Sequence, residues 1–109
     1  MRIISQNGAI DVPYEMSAIC NDDKLIILCM AGETGKGSVI ATYSTSEKSE
    51  KAMEMLHEQY SRLQVVKILA SGTCEHMEKS LSKDEFLECN LKYREMNIFQ
   101  FPQDEDVEV

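Results

Sequence analysis

The side chains best able to hold a charged ligand are the arginines, of which the chain has three. Arg94 directly follows Tyr93 and precedes Asn97 by three residues, and Arg62 follows Tyr60 by two. A guanidinium binds a phosphate through two parallel hydrogen bonds, an aromatic ring stacks on a base, and an amide reads the base edge. The predicted ligand-binding residues are therefore Arg62, Tyr93, Arg94 and Asn97. The alternative is that the tyrosine rings pack and the arginines lie beside them.

A glycine-rich segment, MAGETGKGS at residues 30–38, has the composition of a phosphate-binding loop. A Walker loop needs four residues between its first glycine and a Gly-Lys-Ser/Thr triplet, so that consecutive amides surround the phosphates. Here two residues separate Gly32 from Gly35, and Gly37 follows Lys36. The pattern does not match. Because apolar runs flank the segment, it predicts the tip of a β-hairpin.

The cysteines and histidines carry no recognisable metal or catalytic signature. There is no CxxC pair, and Cys74-x-His76 is only half of a zinc-binding pattern. A reactive Cys/His pair would have to be assembled by the fold from Cys74 or Cys89 with His57 or His76. We therefore expect no metal, no cofactor and no enzymatic activity. Four cysteines without such spacing, and without a secretory leader, indicate a reducing, cytoplasmic compartment.

The charge of the chain limits its partners. The formal net charge is −8, and half of this excess lies in the last six residues, 104–109, which hold four acidic side chains. An acidic surface repels phosphates, so direct binding to nucleic acid is not expected, whereas a basic protein is a suitable partner. The longest apolar run, Leu25–Ala31, is much shorter than the roughly 20 residues that span a bilayer, which predicts no membrane segment.

The N-terminal half of the chain predicts strands. Asn7-Gly8 supplies the positive φ angles of a tight hairpin turn, and Pro13 ends pairing because it has no amide hydrogen. The run Lys24–Met30 is apolar on both faces, as is typical of a central strand. The predicted strands are Arg2–Ser5, Ala9–Val12, Glu15–Cys20, Lys24–Met30 and Ser38–Tyr43.

A long helix is predicted to follow. Ser44 and Glu47 have the spacing of a capping box, in which each side chain accepts a hydrogen bond from the other residue's amide. Between residues 52 and 70, apolar side chains recur every three or four positions and form one helical face. Gly72 is expected to end this helix. The alternative is that residues 65–69 form a strand.

The C-terminal third predicts further helix and one strand. Residues 73–81 are weakly helical, and residues 82–85 form a second capping box that opens another helix. Residues 98–101 alternate between apolar and polar side chains, as in a strand, until Pro102 closes it.

Together these elements predict one α+β domain over residues 1–103, followed by an acidic tail at 104–109. The domain contains an antiparallel β-sheet of about four to six strands, with a long helix packed on one face and one or two further helices. Because residues 24–30 are apolar on both faces, something must cover the second face. We expect a later helix or a second subunit to do so, and therefore predict a homo-oligomer.

Three segments of the chain resemble small phage and prophage proteins of Gram-positive bacteria. They are the opening MRIISQNGAIDVPYE, the segment IATYSTSEKSEKAMEMLHEQY and the closing FQFPQDEDVEV, about half of the chain. The resemblance implies a strand-rich N-terminal half, a helix after the Tyr-Ser-Thr step and a final aromatic-proline strand. Residues 65–92 look like an insertion relative to those proteins.

Small phage accessory proteins often counter bacterial immunity, and the resemblance implies two such functions. The first resembles the Thoeris anti-defence sponges: binding and sequestration, without chemistry, of a cyclic nucleotide or cyclic ADP-ribose-type signal. The alternative is an acidic inhibitor that occupies a basic surface of a host defence nuclease, such as a CRISPR effector. In that case the tail at 104–109 and the glutamates of the main helix would make the contact.

Overall fold

The computed structural model of the chain describes residues 1–30, 32, 35, 37–80 and 83–109, and at 69–80, 83, 86, 89 and 90 the backbone alone. The described residues form two three-stranded sheets and two helices. The elements are β1 (Arg2–Ile4), β2 (Asp11–Pro13), β3 (Ser17–Asp22), β4 (Leu25–Met30), β5 (Ser38–Thr42), α1 (Ser46–Ser80), α2 (Lys83–Met96) and β6 (Ile98–Gln100). The predicted α+β class is confirmed, but the predicted single sheet is divided into two.

The first sheet has the order β2-β1-β6. β1 and β2 form the predicted hairpin, but the predicted two-residue turn at Asn7-Gly8 is wrong: only Gly8 has a positive φ, of 77°, and the Gly8 amide donates to the Ser5 carbonyl over 2.9 Å, so the turn is centred on Gln6 and Asn7. β6 pairs with β1 in parallel, with Arg2 opposite Ile98. Parallel neighbours need a long crossover connection, and the rest of the domain supplies it. The expectation of a purely antiparallel sheet is therefore wrong at this pair.

The second sheet has the order β3-β4-β5 and is antiparallel throughout, which confirms β4 as a central strand. The glycine-rich segment connects β4 to β5, although residues 31, 33, 34 and 36 of it lie outside the described residues. Gly37 must be glycine, because its φ is 80° and a Cβ there would lie 2.6 Å from the Leu28 carbonyl oxygen. A bulge at Ile40 lets both Ile40 and Ala41 be buried.

Gln6 joins the two sheets. Its amide N–H donates to the Ile40 carbonyl over 2.8 Å, and its side-chain Oε1 accepts from the Thr42 amide over 3.0 Å. Its Nε2 donates to the Pro102 carbonyl over 3.1 Å, and Gln103 Nε2 donates to the Gln6 carbonyl over 2.7 Å. Gln6 thus pairs with two main-chain groups on the outer edge of β5, as a residue of a neighbouring strand would. It also binds Pro102 and Gln103 of the C-terminal segment.

The helix α1 starts and ends differently from the prediction. The Thr45 hydroxyl accepts from the Lys48 amide over 3.2 Å and caps the helix, so the predicted Ser44–Glu47 capping box is wrong. The helix has 35 residues, about 52 Å, and continues through Gly72 to Ser80, so residues 65–69 are helical. A helix-interior glycine costs only about 1 kcal/mol, too little to end a long helix. Ser82 of the second predicted capping box lies outside the described residues.

One face of α1 covers the second sheet. Ala52, Leu56 and Leu63 are fully buried in the same core as the β4 side chains. Ser49 is fully buried as well, and its hydroxyl contacts the Asp23 carbonyl and Asn21 Oδ1 in the β3–β4 hairpin. Apolar burial and this polar contact therefore fix α1 across the hairpin.

The six C-terminal residues expected to form a tail contact the body of the domain. Val107 is buried with 3% of its surface exposed. Asp104 Oδ1 accepts from the Ser44 amide over 2.7 Å, and this hydrogen bond, with Lys48 nearby, holds the pKa of Asp104 below its usual range. The Tyr43 hydroxyl donates to the Pro102 carbonyl over 2.8 Å. The start of the acidic segment is therefore part of the packing.

Replacing Gln6 should weaken the connection between the sheets. Gln6→Ala removes two side-chain hydrogen bonds, each contributing about 1 kcal/mol, so we expect the free energy of unfolding to fall by about 2 kcal/mol. Gln6→Glu keeps the acceptor for Thr42 but turns a carboxylate oxygen toward the Pro102 carbonyl, so it should be at least as destabilising as Gln6→Ala. Urea denaturation of the three proteins measures this. Equal stability of all three would contradict the bridging role.

Tyr43 should make the stability sensitive to alkaline pH. Burial, and to a smaller extent the charge of Asp104, raises the pKa of Tyr43 from 10.0 to about 12. The unfolded tyrosine therefore ionises first, and the stabilisation is complete below about pH 10 and is lost as the pH rises toward about 12. Tyr43→Phe should lose about 1 kcal/mol at neutral pH, for the hydrogen bond, and show a smaller further loss at alkaline pH. Urea denaturation of both proteins at neutral pH and near pH 11 tests this; parallel losses would contradict it.

Candidate functional site

Three of the four predicted ligand-binding residues line one cleft. The cleft has a volume of about 560 Å³, within the range of small-molecule sites. We call it the arginine cleft, and its lining residues are Met1, Arg2, Tyr93, Arg94, Asn97 and Ile98. It lies where the C-terminal end of α2 meets the first residues of β1 and β6.

Asn97 determines how α2 ends at this cleft. Its amide N–H donates to the carbonyls of Tyr93, over 3.2 Å, and Arg94, over 3.1 Å, and its side-chain Nδ2 also donates to the Tyr93 carbonyl, over 3.1 Å. These bonds satisfy carbonyls that a helix end leaves unpaired. The Asn97 carbonyl in turn accepts from the Arg2 amide over 2.7 Å. The last turn of α2 is thereby attached to β1, and the positions of the Tyr93 and Arg94 side chains follow from it.

Gln59 of α1 supports the same junction from the other side. Its Nε2 donates to the Met96 carbonyl over 3.0 Å and to the Ile98 carbonyl over 2.7 Å. The short connection between α2 and β6 is therefore held by α1 as well as by β1. A site on such a supported connection keeps its geometry before a ligand arrives, which reduces the ordering cost of binding.

The two arginines of the cleft differ in what they already bind. Arg2 pairs with Asp11 through two hydrogen bonds, Nε to Oδ1 over 2.9 Å and Nη2 to Oδ2 over 2.7 Å. The exposed guanidinium of Arg94 has no hydrogen bond or ion pair to any residue in the part of the chain that the structure describes. Tyr93 is half-buried against the core, and Ile98 is 44% exposed. The cleft therefore combines an uncommitted guanidinium with an apolar and aromatic surface.

Arg62, the fourth predicted residue, does not line this cleft. It lies in a neighbouring cleft of about 370 Å³ between α1 and α2, with Gln59, Lys92, Glu95 and Met96. Met96 directly precedes Asn97, so the two clefts flank the same end of α2. A ligand confined to the arginine cleft would not touch Arg62.

Met1 and Arg2 belong to the site although no sequence pattern places them there. Their positions depend on the parallel pairing of β1 with β6, which joins residues 96 positions apart, such as Arg2 and Ile98. Nothing in the local spacing of either strand encodes that pairing. The one sequence signal that pointed to Arg2 was the small number of arginines in the chain. This number does not indicate which arginines lie close together in the fold.

No metal or thiol site accompanies the cleft among the residues that the structure describes. Within them, no three His, Cys, Asp or Glu side chains are close enough to hold a metal ion. Cys20 is exposed and Cys29 half-buried, both as free thiols. The side chains of Cys74, His76 and Cys89 lie outside the described set. The same residues contain no helix with the length and apolar character that a membrane crossing needs.

A second charged surface lies on α1. The side chains of Glu47, Glu50 and Glu54 are exposed, and Glu108 of the C-terminal segment lines the same shallow groove, of about 300 Å³. Lys51 also lines it and pairs with Glu54 over 3.3 Å. The fold thus brings the helix glutamates and the acidic segment together, and we call this surface the acidic groove.

Comparisons with known proteins give no assignment. No protein-family model matches the sequence, and searches of curated proteins and of solved structures found no significant match. The arguments for a function therefore come from the two surfaces and from the chemistry of their side chains.

Proposed function

We propose that this chain binds a small nucleotide-derived anion in the arginine cleft and sequesters it without chemistry. The observation that carries the proposal is the free guanidinium of Arg94 beside the half-buried ring of Tyr93 in a cleft of ligand size. A guanidinium recognises phosphate oxygens as a two-pronged donor, and an aromatic ring with apolar neighbours accepts the face of a base. No described residue donates a hydrogen bond to Asn97 Oδ1, so this atom can accept from a base edge.

The biological setting of this activity is part of the same proposal. The resemblance of three segments to phage and prophage proteins supports a counter-defence role in the bacterial cytoplasm, with a cyclic nucleotide or a cyclic ADP-ribose-type molecule as the ligand. Self-association is proposed as well. It is supported by exposed apolar side chains on both helices, Val65 and Ile68 on α1 and Leu87 and Leu91 on α2.

A thermal-shift screen with release of the ligand tests sequestration. The purified protein is heated with cyclic dinucleotides, cyclic trinucleotides and cyclic ADP-ribose isomers, and any bound ligand is recovered after denaturation and identified by mass. A ligand at a hundredfold excess over its dissociation constant adds about 2.7 kcal/mol to the free energy of unfolding. Stabilisation with recovery of the intact ligand supports the proposal. Recovery of a cleaved ligand would show an enzyme instead.

Arg94 should contribute most of the charge-dependent affinity. Arg94→Ala removes the free guanidinium, and hydrogen bonds to charged groups contribute about 1.5–3 kcal/mol, so we expect affinity for the screened ligand to fall about ten- to hundredfold. Arg94→Lys keeps the charge, loses the two-pronged geometry and should recover only part of it. Isothermal titration calorimetry measures both.

Arg62→Ala is the matched control for this prediction. It removes the same kind of side chain from the neighbouring cleft, so its effect should be clearly smaller if the ligand occupies the arginine cleft alone. A larger loss with Arg62→Ala than with Arg94→Ala would move the site to the groove between the helices. Unchanged affinity in both variants would overturn the residue assignment.

A second candidate function rests on the acidic groove. Glu108 lies beside the glutamates of α1, which concentrates negative charge on one surface, as an inhibitor of a basic protein needs. The candidate partner is a host defence nuclease with an exposed nucleic-acid-binding surface. Charge complementarity of this kind acts mainly on the association rate.

Reversing charge in the acidic groove should therefore slow association. With a nuclease recovered by affinity purification, Glu50→Lys combined with Glu108→Lys should lower the association rate at least tenfold at low salt and flatten its salt dependence. Reversal is preferable to deletion of residues 104–109, because Val107 is buried and its loss would disturb the fold. Asp84→Lys combined with Glu88→Lys, on α2, makes the same change of charge outside the groove and is the control, which should leave the rate unchanged. Equal effects of both reversals would argue for general charge alone.

A further inference from the structure

One edge of the second sheet has main-chain groups without a partner. β3 pairs with β4 along one side only, with Asp22 opposite Leu25 and Ala18 opposite Cys29. In an antiparallel pair, alternate residues direct N–H and C=O toward the partner, and the residues between them direct both groups away from it. The hairpin closes at the Asp22–Leu25 pair, so the groups of Ile19 and Asn21 point outward. Among the described residues, the main chains of Ile19 and Asn21 have no hydrogen-bond partner outside the β3–β4 pairing.

A cavity runs beside this edge. It has a volume of about 350 Å³ and lies between β3 and the flank of α1. Its lining is mixed: apolar and aromatic side chains, among them the rings of Tyr14 and Tyr60 with centroids 4.4 Å apart, alternate with polar ones. The other lining residues are Ile19, Met53, Leu56, Glu15, Ser17 and His57. The cavity is large enough to hold one bulky side chain.

We propose that the edge of β3 and this cavity form a binding groove for an extended peptide of a partner protein, separate from the arginine cleft. The peptide adds a strand to β3 through the outward main-chain groups of Ile19 and Asn21. One large apolar or aromatic side chain of the peptide then enters the cavity between β3 and α1. Main-chain hydrogen bonds of this kind give affinity for any extended segment, and the side-chain cavity gives selectivity.

A second copy of this chain is a poorer occupant than a foreign peptide. If two β3 strands paired edge to edge, the residues facing the helix side would be Ser17, Ile19 and Asn21 of the other copy. Ile19 packs against its own core, and Asn21 contacts its own Ser49, so neither can enter the cavity of a neighbour. Self-pairing would leave the cavity unfilled, whereas a peptide with one bulky side chain fills it.

The charge of the groove favours a basic peptide. The strand is flanked by exposed acidic residues at both ends, Glu15 before it and Asp22 at its end, on a chain of net charge −8. The α-amino group of Met1 contacts Glu15 Oε1 over 2.8 Å, and Lys67 adds a second positive charge near Glu15, so Asp22 and the net charge of the chain supply the attraction for a basic peptide. Lysines at the ends of the peptide would meet this negative potential.

The test is a titration of the ¹⁵N-labelled protein with short peptides, followed by NMR. The probes are acetyl-Lys-Thr-Val-Xaa-Val-Thr-Lys-amide, with Phe, Tyr, Trp, Leu or Ile at Xaa. We expect the amide signals of Ile19 and Asn21 to shift and their hydrogen exchange to slow. Replacing Xaa by Ala, or both lysines by Glu, should weaken binding at least tenfold. No binding by any of the five peptides, or shifts confined to other surfaces, would overturn the proposal.

Main-chain pairing has its own signature. In the bound peptide, the N–H groups of every second residue point toward β3, and those of the residues between them point away. N-methylation of the first set should weaken binding at least tenfold, whereas N-methylation of the second set should weaken it less than threefold. Equal effects of the two sets would exclude strand addition. Slow exchange of Ile19 and Asn21 in the free protein that depends on protein concentration would show that a second copy occupies the edge, and would also overturn the proposal.

A pair of protein variants tests the cavity. His57 is exposed and lines it, so His57→Trp should narrow it and weaken peptide binding at least tenfold. Glu58→Trp adds the same ring to the next position of α1, outside the cavity, and should leave affinity within twofold. Equal affinities of both variants would contradict entry of the peptide side chain. Circular dichroism shows whether each variant is folded.

Discussion

The hydrogen bonds that Gln6 makes with the edge of β5 join the main chains of the two sheets, whose side chains share one hydrophobic core with α1. A three-stranded sheet has two edges, and each edge presents N–H and C=O groups that need partners. Gln6 satisfies the Ile40 carbonyl with its main chain and the Thr42 amide with its side chain. The outer edge of β5 is therefore paired at Ile40 and Thr42 by the connection between β1 and β2. Among the described residues, the opposite edge along β3 has no such partner, and the proposed strand addition depends on this asymmetry.

The location of the arginine cleft follows from the path of the chain after β5. α1 is about 52 Å long, so the chain must come back along α2 before its last strand can reach β1. The return ends at Asn97, whose carbonyl accepts the Arg2 amide, and β6 then pairs with β1 in parallel. The end of a helix, with its last side chains, is thus placed against the first residues of the chain. The end of α2 and the first residues of β1 and β6 leave a gap between them, and this gap is the arginine cleft.

Local patterns in the sequence predicted the local structure well. The β1–β2 hairpin, the central strand β4 and the α2 helix each depend on residues close together in the chain, and all three are confirmed. Apart from the expected stop at Gly72, which local cost alone did not impose, the failures involve distant residues. Thr45 rather than Ser44 caps α1, and the Ser44 amide is bound by Asp104, 60 positions later. The division into two sheets depends on Gln6 and on the β1–β6 pairing, for which periodicity carries no signal.

The candidate site was likewise predictable only where its residues lie close together in the sequence. Its charges also limit the anions that we propose as ligands. Tyr93, Arg94 and Asn97 were found from sequence because one helix end holds all three, whereas Arg2 and Arg62 depend on tertiary packing. Arg2 is neutralised by Asp11, so Arg94 alone offers an uncommitted positive charge among the described residues of the cleft. The repulsion from a chain of net charge −8 grows with the number of charges on the ligand, while the hydrogen bonds of one guanidinium do not. The ligands proposed for this cleft are therefore small anions with few phosphates rather than polymeric nucleic acid.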